Sequence, residues 1–227
     1  MPGVLTNHNC SGTRVAIVTG GSRGIGRAVA LKLASADYAV VISYLNSQPA
    51  ADAAVEEILS ADGTAVAVRA DVADALDVER LFSETIDAFG HVDVVVHAAA
   101  RTVLGTVPDH GLETFDAPHR VNARGTVVVN QQASLQLRDG GAIVNFSGSG
   151  VGLARRPSDP AYAASAAAVD AITPALPRDL TLRDITVNTI ALGPELPTTP
   201  ADIANLVAFL VSDEGHWING QVIRACD

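Results

Sequence analysis

Short apolar runs dominated by valine and isoleucine alternate along the chain with longer alanine-rich segments. The short runs lack the in-out alternation of a half-exposed strand, which predicts strands buried on both faces. They cover residues 15–18, 40–43, 65–68, 92–96, 143–146, 186–190 and 222–224. Between them the pattern predicts helices over 25–35, 50–61, 75–89, a region after Leu112, 162–180 and 201–211. Strands that alternate with helices long enough to cross over a sheet predict an α/β fold with a doubly wound parallel sheet. No repeat or linker interrupts the alternation, so residues 14–227 read as a single domain and residues 1–13 as a flexible N-terminal tail.

Composition narrows the class. The chain has 227 residues, 48% of them apolar, enough for one sizeable core. A formal net charge of −10 with no Lys/Arg run argues against nucleic acid or an anionic membrane as partner. Cys10 and Cys226 form neither a disulfide framework nor a metal-ligand spacing, so no metal site is expected. With no signal-peptide core and no apolar run of spanning length, the expected location is the cytoplasm.

The densest chemical signal is Thr19-Gly20-Gly21-Ser22-Arg23-Gly24-Ile25-Gly26, directly after the first strand and opening the first helix. Glycines there let the backbone turn sharply and approach a pyrophosphate, whose charge is stabilised by the free amides of the helix start. Gly20, Ser22, Arg23, Gly24, Ile25 and Gly26 are therefore the expected phosphate cradle. The second strand ends Ser43-Tyr44-Leu45-Asn46-Ser47, without the acid that would pair with a free ribose 2′-hydroxyl. Arg23, with donors from Tyr44, Asn46 and Ser47, suits a 2′-phosphate instead, which predicts NADP rather than NAD. The competing reading of Arg23 is a solvated loop cation.

The glycine loop has the Thr-Gly-x-x-x-Gly-x-Gly form, and the chain resembles the short-chain dehydrogenase/reductase family, 3-oxoacyl-reductase-like branch, through most of its length. That resemblance implies a Rossmann-type fold and a set of roles. Asp71 and Val72 correspond to the residues around the adenine, and Ala98, in His97-Ala98-Ala99-Ala100, to the segment along the nicotinamide ribose. Asn122 corresponds to the asparagine that organises a proton-relay water. Ser149 is the best match to the catalytic serine, thirteen residues before the catalytic Tyr162, with Ser147 as the alternative. Asn188 and Gly193-Pro194 correspond to the segment after the sixth strand that contacts the nicotinamide. In relatives Tyr162 exchanges a proton with the substrate oxygen while the serine holds that oxygen.

The chain also departs from the family pattern. The lysine that lowers the tyrosine pKa is replaced by Ala166, and Arg155 and Arg156 are the nearest substitutes in sequence. Ala100 stands where glycine lets the backbone pass the ribose, and His97 reads as a packed strand-end residue. Pro174 and Pro177 predict a kink or break in the helix after Tyr162, a helix that in relatives forms much of a dimer face. The expected homo-oligomer, dimer or tetramer, is weakened accordingly. Only residues 195–199 separate Pro194 from the next helix, so a shortened substrate lid is expected. Two functions follow. One is an NADP(H)-dependent oxidoreductase that reduces a small-molecule carbonyl to an alcohol with an incomplete catalytic set. The other is a redox-silent relative retained for nucleotide binding, regulation or a non-redox reaction.

Overall fold

The structure, a computed structural model, describes residues 12–102, 111–148, 160–176, 180–193 and 199–225. The tail up to residue 11, Ser149, Arg155, Arg156, Pro177, Pro194 and most of the expected lid lie outside the described residues.

Seven parallel strands form one sheet in the order β3-β2-β1-β4-β5-β6-β7. They are β1 (Val15–Thr19), β2 (Ala39–Tyr44), β3 (Thr64–Arg69), β4 (Val94–His97), β5 (Ala142–Gly148), β6 (Thr186–Leu192) and β7 (Val222–Ala225). The helices are α1 (Gly24–Ala34), α2 (Gln48–Ser60), α3 (Ala75–Phe89), α4 (Leu112–Pro118), α5 (Gly125–Gln136), α6 (Pro160–Ile172) and α7 (Pro200–Leu210). The doubly wound reading is therefore correct, and the reason is visible in β1, where every side chain from Val15 to Thr19 has no exposed surface. Val15 and Ile17 pack on one face against Leu81, Phe82 and Val129 of α3 and α5. Ala16 and Val18 pack on the other against Val29, Leu33 and Leu210 of α1 and α7.

The helix expected over 162–180 stops as an α-helix at Ile172 and continues as a 3₁₀ turn over Thr173–Ala175. Pro174 has no N–H to carry the ladder on, and the Thr173 hydroxyl turns to the Val169 carbonyl and to Thr189 of β6. The region after Leu112 also divides. Pro118 ends α4, a π-helical turn occupies His119–Arg124, and α5 follows. Such widened turns displace side chains around the helix, and here the displaced segment holds Asn122. Asn188, which the family resemblance puts in the segment after the sixth strand, lies inside β6, as the apolar run over 186–190 implies. Its carboxamide donates to the Ile218 carbonyl and accepts from the Gln221 amide. It braces the approach to β7 rather than facing a ligand.

At the opposite end of the sheet from the glycine loop, the buried Asp93 carboxylate accepts from the Val15 amide at 2.7 Å and lies 3.1 Å from the His91 ring. Asp93→Ala would leave the Val15 N–H without its side-chain acceptor, at a cost of about 1–3 kcal/mol. Melting by circular dichroism is expected to show a drop in Tm of roughly 3–10 °C, a conversion that follows from the chain length.

Candidate active site

The strand order reverses between β1 and β4: β2 and β3 lie on one side of β1, while β4 to β7 lie on the other. Ligands of open parallel sheets bind outside the strand carboxyl ends at such a reversal. A cavity of about 790 Å³ opens there, lined by the glycine loop, the end of β2, Asp71, Val72, residues 98–102, Phe146, Ser147, Tyr162 and Leu192.

Its glycine-loop end is built by close backbone approach. Gly20 has φ +66°, and a Cβ on it would come 2.8 Å from Ala99 Cα across the crevice. A Cβ on Gly26 would press into the carbonyl of Gly20, 2.9 Å from its carbon. Helix α1 begins at Gly24 after an extended Arg23, with no side-chain cap and no acid in its first turn. Its first amides are thus free of side-chain acceptors and available to an anion. Gly20, Ser22, Arg23, Gly24, Ile25 and Gly26 all line the cavity.

At the β2 end, Tyr44 and Ser47 line the cavity with Ser43, Leu45 and Asn46, and no carboxylate joins them. Asp71 supplies the acid on the adjoining wall. Its carboxylate accepts from the Ala73 amide at 3.0 Å and from Arg120 at 2.7 Å, so it is held in place by its own turn and by the π-helical segment. Val72 packs against Gly125 at the start of α5.

The remaining end gathers Ala98 to Thr102 from the loop after β4, Val121, Phe146 and Ser147 from β5, Tyr162 from α6 and Leu192 from β6. Tyr162 is half-buried with its ring on Gly148. A Cβ there would meet the ring at 2.6 Å and the phenol oxygen at 2.8 Å, so the tyrosine position depends on a glycine at the end of β5. Nothing in the sequence pattern singled out Gly148.

Asn122 stands behind this wall. Its Oδ1 accepts from the Arg101 amide at 2.8 Å, and its Nδ2 donates to the Arg101 carbonyl and the Ser165 hydroxyl, each at 3.0 Å. Ser165 in turn donates to the Tyr162 carbonyl at 2.8 Å. The carboxamide thereby ties the β4 loop to the turn of α6 that carries the tyrosine. Ala166, on that same turn, is 2% exposed, and the positive charge among the described lining residues of this end comes from Arg101. Gly193 follows β6 but is not among the lining residues.

His97 is the packed strand-end residue expected. Its Nδ1 lies 2.8 Å from the Thr19 hydroxyl, and complete burial pushes its pKa down to about 4, so the ring is neutral at physiological pH. Thr19 also accepts from the Ala99 amide at 3.2 Å, which fixes the start of the β4 loop over β1.

Comparison with known proteins agrees with this geometry. The short chain dehydrogenase family model matches residues 14–203. The hydroxynaphthalene reductase-like protein Arp2 of Metarhizium brunneum is 33% identical, with 92% of each chain covered. A dehydrogenase/reductase from Sinorhizobium meliloti superposes with TM-score 0.89 at 35% identity, covering 97% of this chain and 96% of its own. A short chain dehydrogenase from Burkholderia cenocepacia, crystallised in complex with NADP, superposes with TM-score 0.86 at 35% identity, covering 96% and 97%. A family model that spans most of the chain, together with relatives and solved structures above 30% identity over nearly its whole length, shows that the chain belongs to the short chain dehydrogenase family of oxidoreductases.

Proposed function

We propose that the protein is an NADP(H)-dependent reductase of small-molecule carbonyls that works with a reduced proton-transfer set. The observation that carries the reading is the single cavity joining the glycine loop, with Arg23 and an acid-free β2 end, to Tyr162. The volume lies within the roughly 300–1,000 Å³ usual for cofactor and substrate sites. The tight approaches at Gly20 and Gly26 suit a pyrophosphate laid on the α1 amides. Support also comes from the Burkholderia cenocepacia relative, which binds NADP, and from a fungal relative named as reductase-like.

In this reading Gly20, Ser22, Gly24, Ile25 and Gly26 hold the pyrophosphate, and Arg23, Tyr44 and Ser47 the 2′-phosphate. Asp71 and Val72 flank the adenine, and Ala98 borders the nicotinamide half, with Gly193 placed just behind Leu192 at the end of β6. The bound cofactor supplies the hydride. The Tyr162 hydroxyl donates a proton to the carbonyl oxygen as it becomes an alkoxide, Ser149 steadies that oxygen, and Asn122 keeps the wall and the tyrosine turn in register. Position 166 is alanine, so α6 carries no lysine one turn beyond Tyr162 to make the phenol a better acid near neutral pH.

Tyr162→Phe tests this directly. NADPH oxidation across a panel of ketones and aldehydes is expected to fall about 10²- to 10⁴-fold, the usual weight of a positioned general acid. The Kd for NADPH should stay within about twofold, because the change removes one hydroxyl far from the phosphate cradle. Equal rates for wild type and variant would exclude Tyr162 as the proton donor.

A second reading, a redox-silent nucleotide-binding relative, is favoured by the buried Ala166 and by the Ala100 methyl at the ribose side of the cavity. A homo-oligomer belongs to the proposal as well, packing through α5, whose Val127 and Leu135 are exposed by 49% and 68%.

A further inference from the structure

Ser147 is the penultimate residue of β5, 4% exposed, and lines the cavity together with Phe146 and Tyr162. Its hydroxyl donates to Asp170 Oδ1 at 2.5 Å. Asp170 lies on α6 two turns beyond Tyr162, so residues 162, 166 and 170 follow one another at the four-residue spacing of a single helix face. At the middle position the side chain is a methyl group. The charged group that acts on the carboxylate from a packed element is Arg224 of β7, among the described residues. Burial pushes the Asp170 pKa upward, while the Ser147 hydroxyl and the Arg224 charge oppose that shift and favour the carboxylate.

A serine hydroxyl has one proton and two lone pairs. With the proton committed to Asp170, Ser147 Oγ presents only lone pairs to the cavity. It can therefore accept a hydrogen bond there but cannot donate one to a carbonyl oxygen, which is what a catalytic serine of this family has to do. The wall holds a charge-backed acceptor at the end where the lysine is missing.

We propose that Ser147 and Asp170 form an acceptor site for hydroxyl or amide donors on the nicotinamide-ribose half of the cofactor, taking over part of the anchoring that position 166 cannot provide. The proposal rests on the NADP(H) reading above. Asp170 is a positioning residue in it, acting through Ser147. The nicotinamide half offers several such donors: the ribose hydroxyls and the carboxamide N–H groups. A substrate hydroxyl has the same chemistry, so the test separates the two sources.

Binding is measured for wild type, Ser147→Ala, Asp170→Asn, the double variant of these two, and Asp170→Glu with two probes, NADPH and adenosine 2′,5′-bisphosphate, which has no nicotinamide half. Asp170→Asn removes the negative charge behind Ser147 and lets the serine proton turn toward the cavity, which weakens the site as an acceptor. Ser147→Ala removes the acceptor with little change in volume and serves if the asparagine variant folds poorly. The expected result is a rise of about tenfold in the NADPH Kd for both variants, no further rise in the double variant because the two residues act as one unit, and partial recovery in Asp170→Glu. The bisphosphate Kd should not move. Unchanged NADPH binding with a raised KM for the carbonyl substrate would overturn the cofactor assignment and give the acceptor to the substrate. Unchanged values throughout, or equal weakening of both probes, would reduce the pair to a brace between β5 and α6. If wild type binds neither probe, the nucleotide reading itself falls, and this inference falls with it.

Discussion

Ala166→Lys is expected to raise the rate of NADPH-dependent carbonyl reduction by up to about 10²-fold, the low end of what a well-placed proton donor contributes. Position 166 is one helical turn from Tyr162 and on the same turn as Ser165, which holds the Tyr162 carbonyl. A cation placed close to the phenol favours the phenolate and so makes the tyrosine a stronger acid. A stronger acid at the same place transfers its proton more readily to the developing alkoxide. The sign in a pH profile follows. A reduction that needs the protonated phenol loses rate as pH rises through the tyrosine pKa, so the falling limb should move to lower pH in the variant while the plateau rises. The new side chain starts from a position that is 2% exposed, so it has to run toward the cavity, with Asp170 one turn further along to pair with its charge. Some thermal stability should be lost. Intact NADPH binding with no gain in turnover would show that the pocket itself, and not the tuning of Tyr162, has left redox chemistry.

Gly26→Ala should have the other large effect. The first turn of α1 rests on the Gly20 carbonyl so closely that an added methyl has no room, and the obstructing atoms are backbone with no rotamer to yield. The helix start would be pushed away from the loop that follows β1, and the amides that face the phosphates would no longer converge. NADPH affinity is expected to fall by at least 10²-fold, equivalent to about 2.7 kcal/mol. Isothermal titration of the folded variant measures it, and binding within threefold of wild type would mean that the phosphates do not lie on the α1 turn.

Much of this architecture is legible in the sequence because it rests on local pattern. Unbroken valine and isoleucine runs mark strands covered on both faces, and all seven appear close to where the runs lie. The glycine loop identifies the β1 end of the crevice, and Pro174 explains the early end of α6. What the sequence did not reveal depends on contacts between residues far apart in the chain. Gly148 matters because Tyr162, fourteen positions on, lies against it. Asn122 reads as a motif asparagine, yet its carboxamide is spent on the Arg101 backbone and Ser165, contacts that the π-helical turn makes possible. The Ser147–Asp170 pair joins a strand to a helix across 23 residues, and no periodicity places a carboxylate there. The apolar run over 186–190 puts Asn188 inside β6, whereas the motif match puts it in the segment beyond, because a motif match carries no information on where a strand ends.

The central claim is that the cavity takes NADP(H), and parallel titrations with NADPH and NADH, followed by nicotinamide fluorescence and thermal shift, test it most directly. A guanidinium on the 2′-phosphate contributes about 1.5–3 kcal/mol, so NADPH should bind at least tenfold more tightly than NADH. Arg23→Ala should remove most of that difference. Equal affinity for the two, or binding of neither, would contradict the account.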